Sequence, residues 1–311
     1  MTIDYFEQFK VYNEEDRFCF LHLDFENEND FLENIVEFIF SEQNLFMYYE
    51  DLIEYDSKPT ARNYEILYNN ISLFLDREIK ELVNDKNYEN YELLINDFIA
   101  TSKYIFKKDK VGKIGEHILH IILKKYFNYK CVIPKFQLIT SENMSANGVD
   151  ALFFKKETNE FLFGESKFVN NLDAGISKAN ESLAKYPDII RKEYENLIKQ
   201  GISLQQFNLN KVFTQLYSEK INTNDKFVDF MNSSNSNMVI SVLITHGKEN
   251  NLYKIINDLV RINKIKIDHN INTRYIIMSL PILNKKKFLE VALKVTSRKY
   301  EEYRNKKHTT N

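Results

Sequence analysis

The sequence predicts an α/β protein, a mixed central β-sheet sandwiched between helices with a mainly helical region in front of it. Three observations predict this. From about residue 106 the hydrophobic periodicities run α-β-β-β-α and then β-α-β-α, the order of an α/β sandwich. Within that order MVISVLITH (238–246) is a continuous apolar run, which reads as a central strand covered on both faces. Composition agrees: 43% hydrophobic and 28% charged residues are the balance of a globular chain, and 7 Gly with 4 Pro leave little room for long linkers.

The elements follow in order. RFCFLHLDF (17–25) alternates as an early strand. Residues 30–53 carry Phe31, Ile35, Phe38 and Ile39 at helical spacing, with Asp30 as N-cap and Glu33 completing a capping box. Residues 61–84 and 91–107 read as further helices, so 1–105 forms a mainly helical, Tyr- and Phe-rich region. KVGKIGEHILHIILKKYF (110–127) opens the second region, 106–304, as a helix. CVIPKFQLIT (131–140) is a strand whose Pro134 favours an edge or a bulge, and SENMSANG (141–148) is turn material. GVDALFFKK (148–156) and FLFGESKF (161–168) form a hairpin. A helix over 175–200 ends at Gly201, a natural C-cap. After the 238–246 strand come helix 250–263, strand 273–283 and helix 284–303, and 305–311 reads as a disordered tail.

Charge is split. Residues 1–60 hold 16 acidic against three basic residues, whereas the remainder holds 39 basic against 29 acidic. A basic body suits a phosphate backbone, and an acidic front suits a docking partner or a solvated face. Lys124, Lys125, Lys135 and Lys178 stand out as phosphate contacts. Cys19 and Cys131 lie in no CxxC and read as reduced thiols. The acidic N-terminus lacks a signal-peptide core and no apolar run reaches the roughly 20 residues of a membrane span, so a cytoplasmic protein without a membrane partner is expected.

The chemistry concentrates in Asp150, then fourteen residues, then Glu165-Ser166-Lys167. Strand alternation projects Glu165 and Lys167 from one face. A turn centred on Thr158-Asn159 pairs Asp150 with Lys167 and Leu152 with Glu165, which brings Asp150 to that face too. A carboxylate and a lysine at i, i+2 on a solvent-facing strand are an ordinary ion pair. Here Phe161, Leu162, Phe163 and Phe168 predict a strand covered on both sides, where charge is costly without a reason. Mg²⁺ takes oxygen ligands and keeps waters, so Asp150, Glu165 and the Ser166 carbonyl suffice to hold it beside a phosphate, with Mn²⁺ able to substitute. Lys167 would orient water and stabilise charge on the phosphorane. Glu116, near the start of its helix between Gly112, Gly115 and an apolar stretch, is a further metal or water ligand, or a carboxylate stabilised by the helix dipole. His117, His120 and Cys131 make only a weak zinc set.

Helix Glu116, strand Asp150 and strand Glu165-Ser166-Lys167 resemble the PD-(D/E)xK nuclease superfamily, with Val149-Asp150 in place of the Pro-Asp pair. The resemblance, over residues 110–246, implies a restriction-endonuclease-like core with Asp on its second strand and ExK on its third. More narrowly, GEHILHIIL, GVDALFF and GESKF are similar to the HamA family, nuclease subunits of Hachiman anti-phage systems. That likeness implies DNA cleavage beside a superfamily-two helicase partner, HamB. The alternatives are a non-catalytic nucleic-acid-binding scaffold with a nuclease-like fold, and a nuclease acting on RNA.

Overall fold

Strand β1 (Thr2–Phe6), β2 (Phe9–Glu14) and β3 (Arg17–His22) open the chain as an antiparallel meander. Its two hairpin turns place Glu7 at φ 47° and Glu15 at φ 55°, the left-handed geometry that two-residue turns require. The computed structural model describes residues 1–47, 60–84, 91–102, 106–133, 149–190, 192, 231, 236–265 and 271–309. The expected strand 131–140 beyond residue 133, its Pro134, the turn 141–148, most of the second half of helix 175–200, Gly201 and Lys135 lie outside them.

The mainly helical front therefore also contains strands, two of which the sequence pattern did not reveal. Its expected first helix begins earlier and is broken. Helix α1 spans Glu28–Ile39, with Asn27 extended at the N-cap and Asp30 inside the first turn, not at the cap. Ser41 interrupts it: its hydroxyl accepts from the Asn44 amide at 3.3 Å and starts α2 (Glu42–Met47). The expected helix 61–84 likewise divides into α3 (Ala61–Ser72) and α4 (Arg77–Asn84), α3 being capped by a Thr60–Asn63 capping box. Helix α5 (Tyr91–Ser102) follows.

Next come α6 (Lys108–Lys125), β4 (Lys130–Ile133), β5 (Ala151–Lys155), β6 (Glu160–Val169), α7 (Leu172–Leu183), β7 (Asn237–His246), α8 (Leu252–Asp258), β8 (Thr273–Pro281) and α9 (Lys285–Thr309). The expected α-β-β-β-α-β order is thus present among the described residues. All eight strands join one mixed sheet, ordered β1-β2-β3-β8-β7-β6-β5-β4. Strands β6, β7 and β8 run parallel, and β3 pairs parallel to β8 through Arg17–Cys19 and Ile277–Ser279. As its apolar run requires, β7 lies inside the sheet and is buried from Met238 to His246.

The pleat divides the core in two. On one face Leu162, Phe168, Val239 and Leu243 pack under α6, with α1, α3 and α9 in the same apolar layer. On the other Phe161, Phe163, Ile240, Val242 and Ile244 pack under α7 and α8. Each large apolar side chain so buried contributes roughly 1.5–3 kcal/mol. The first layer unites Phe6 with Tyr303, so both expected regions share one core.

Helix α9 extends through most of the stretch expected to be a disordered tail. Lys306 sits over the Tyr64 ring and Lys307 over the Tyr68 ring, at 5.1 and 3.6 Å from the centroids, and these cation–π contacts hold the last turns. The acidic front meets basic residues of the body: Lys125 pairs with Glu7, Lys287 with Glu28, and Arg298 and Lys299 with Glu37. Three of the sixteen acidic residues of the front are thus answered within the chain by these pairs.

Candidate active site

The β5–β6 hairpin turns over residues 156–159, with Asn159 at φ 50°. This register pairs Leu152 with Phe163 and Ala151 with Gly164, two positions away from the pairing that a Thr158-Asn159 turn predicts. An even displacement preserves pleat parity. Continuing the ladder sets Asp150 opposite Glu165 instead of Lys167, still on the face of Glu165 and Lys167.

Strand β6 outruns its partner. The ladder with β5 ends at Gly164, while β6 continues to Val169 along β7. Asp150 bridges the opening: its amide donates to the Gly164 carbonyl at 2.9 Å, and its Oδ2 accepts from the Ser166 amide at 2.7 Å. A strand residue's N–H and C=O leave on the same side, so the Ser166 carbonyl points toward the margin that Asp150 occupies.

Glu165 is buried, 5% exposed, and both its oxygens are engaged. Oε1 takes the ammonium of Lys167, and Oε2 accepts the hydroxyl of Tyr186 at 3.1 Å. Lys167 is half-buried. Tyr186, fully buried just beyond α7, has no signal in the sequence, because nothing marks it until α7 folds back over β6.

Glu116 occupies a different position. Helix α6 meets β6 at Gly115, where an added Cβ would lie 2.6 Å from Ser166 Oγ and 3.5 Å from Phe168 Cβ. Ser166 and Phe168 point away from the face of Glu165 and Lys167. Half-buried Glu116 therefore stands beside the Ser166 end of β6, on a helix that covers the opposite face.

Both histidines of the weak zinc set are packed in the core, as the ordinary reading of such residues has it. His117 Nε2 bonds the Ile39 carbonyl at 2.9 Å, and burial pushes this imidazole down to about 4. His120 is buried against Phe153, and Cys131 is joined in no disulfide. Among the described residues no group of three or more His, Cys, Asp or Glu side chains is placed to hold a metal ion, which counts against the zinc set. Cys19 is free and fully buried, its thiol pushed up to about 12 by burial.

Fold and site define an α/β protein with two carboxylates and an ammonium gathered where a hairpin opens at the margin of a mixed sheet. A family model described as HamA matches residues 3–295, and the chain belongs to the HamA family. No curated protein and no solved structure matched the chain. No helix among the described residues is long and apolar enough to cross a membrane.

Proposed function

We propose that the protein is a Mg²⁺-dependent nuclease that cleaves DNA, acting in a Hachiman anti-phage complex beside a helicase partner. One observation carries this reading: Glu165 and Lys167, which follow the apolar run Phe161–Phe163 on β6, stand at the point where β5 and β6 separate, with Asp150 across the opening. Burying such a group costs several kcal/mol that folding alone does not require. HamA membership supports the defence setting.

The donor set fits a hard cation, since Asp150, Glu165 and the Ser166 carbonyl all offer oxygen. When bound, the metal would polarise a phosphoryl oxygen and acidify a water. The chain's own groups do the rest. Asp150 fixes the Ser166 peptide, Tyr186 orients Glu165, and Lys167 supplies positive charge for the phosphorane. The contact between Lys167 and Glu165 implies that the ammonium turns toward substrate when Glu165 takes the cation. Glu116 is proposed as an auxiliary ligand of metal or water, reaching the site from α6. Mn²⁺ is expected to replace Mg²⁺.

A non-catalytic DNA-binding scaffold is a second reading, favoured by that same closed ion pair and by the absence of a three-carboxylate cluster among the described residues. Plasmid degradation separates the two. The chain, purified with its neighbouring-gene products, is assayed with and without Mg²⁺ and ATP, on DNA and on RNA. Loss of cleavage in Asp150→Ala and Lys167→Ala with folding retained supports the nuclease. Full activity in either variant, or cleavage indifferent to chelation, rejects the assignment.

A further inference from the structure

The sequence singles out lysines at the C-terminal end of α6, and the structure sets them apart from those at its start. Lys124 and Lys125, at the C-terminal end, are held by the protein: Lys124 donates to the Met47 carbonyl at 3.3 Å, and Lys125 pairs with Glu7 at 2.8 Å. The other end of the helix is different. Contacts from Gly115 to Phe168, and from Lys285 to the Phe168 carbonyl at 3.0 Å, bring the middle of α6 and the start of α9 together over the end of β6. Two sets of lysines lie here: Lys80 of α4 beside Lys110 and Lys113 of α6, and Lys178 of α7 beside Lys285 of α9.

Four of these cations are not neutralised as the others are. Among the described residues no carboxylate lies within ion-pairing distance of Lys80, Lys110, Lys178 or Lys285, whereas Lys107 and Lys286 nearby pair with Glu78 and Glu290. Asp76 attracts Lys80, and Asp109 and then Asp76 attract Lys110, only from farther away. Lys110 donates to the Leu73 carbonyl at 3.0 Å. Burial, then the charges of Lys110 and Lys113, lowers Lys80, and burial, then Lys178, lowers Lys285. The positive end of the α6 dipole adds to the same potential. Between α5 and α9 a largely apolar 330 Å³ cleft opens here, lined by Ile99, Phe106, Leu289 and Leu293, with Lys285 and Glu290 at its polar side. Self-repelling cations at one end of a sheet, one residue beyond Lys167, match a ligand with several negative charges spaced along a chain.

We propose that this lysine group seats the phosphodiester backbone of DNA and leads it to the β5–β6 opening. The proposal rests on the nuclease reading for what happens next, but binding can be measured without cleavage. A fluorescein-labelled DNA duplex is titrated with full-length protein in EDTA at several salt concentrations. Changing Lys80, Lys110, Lys178 and Lys285 to Gln removes charge while leaving a donor for the two carbonyls. The expected result is an affinity about tenfold or more weaker at low salt, with the slope of log K against log salt shallower by about 0.9 for each phosphate released. Lys156→Gln with Lys264→Gln, exposed lysines elsewhere, is expected to bind as the parent does. Melting curves check folding. If the fourfold variant does not fold, Lys80→Gln with Lys178→Gln, which leaves both carbonyl hydrogen bonds intact, is read in the same way. The proposal is overturned if the variant keeps the parent's affinity and slope, or if polyglutamate of equal charge competes as well as DNA. Lysine-dependent binding, with no cleavage by the chain and its neighbouring-gene products in Mg²⁺ and ATP, would leave this seat standing and reject the nuclease.

Discussion

The Tyr186 hydroxyl donates to Glu165 Oε2 at 3.1 Å, while Lys167 holds the other oxygen of that carboxylate. A buried carboxylate clasped from both sides has one orientation. Tyr186→Phe keeps the ring and removes the clasp. Cleavage is expected to fall by about ten- to a hundredfold, the usual effect of losing a group that orients a ligand, with a higher Mg²⁺ midpoint and little change in melting temperature. An unchanged Mg²⁺ titration would remove Tyr186 from the site.

The packing of α6 on β6 gives a prediction independent of function. A Cβ at residue 115 would stand 2.6 Å from Ser166 Oγ but 3.8 Å from Ser166 Cβ. Gly115→Ala is expected to cost about 1–3 kcal/mol, as overpacking does. Ser166→Ala in the same chain removes the clashing oxygen and should recover much of that stability. Strict additivity in a denaturant double-mutant cycle would contradict this contact.

Acid is expected to weaken the fold well above the carboxylate range. Burial pushes His117 and His246 down to about 4 and His120 well below its ordinary value. All three are neutral when folded and take up protons near pH 6.5 when unfolded. Their contribution is therefore complete above pH 6.5 and is lost as pH falls toward 4. Between pH 7.5 and 5.5 the loss is on the order of 1 kcal/mol per histidine. Urea midpoints across that range measure it, and a flat profile would mean that these rings titrate normally.

The last helical turns carry a smaller effect. Removing residues 305–311 deletes the Lys306 and Lys307 contacts to Tyr64 and Tyr68 and is expected to cost about 1–2 kcal/mol. A truncated chain as stable as the parent would show that these contacts contribute nothing.

What can be read in the sequence is what repeats locally. Strand alternation puts Asp150, Glu165 and Lys167 on one face, and this holds despite a two-residue shift in register because parity depends only on even steps. The buried β7 is legible from its unbroken apolar run. The first hairpins are not, because Glu7 and Glu15 occupy turn positions where Gly or Asn ordinarily signals the reversal. Ser41 reads as the inside of a helix because its capping role depends on Asn44 turning back to it. Tyr186 and the lysine group are products of assembly, contributed by elements far apart in the chain.

The pairing of Arg17–Cys19 with Ile277–Ser279 also orders events during synthesis. The ribosome delivers the first strands long before the one that receives them. Until β8 emerges the meander has no neighbour in the sheet, and its apolar side chains, Phe6, Phe9, Val11 and Phe20 among them, have no completed core to enter. Because the sheet joins only when β8 has been made, a product terminated before β8 would lack the completed fold. For a protein proposed to cut DNA, that makes translation through β8 a condition of being armed.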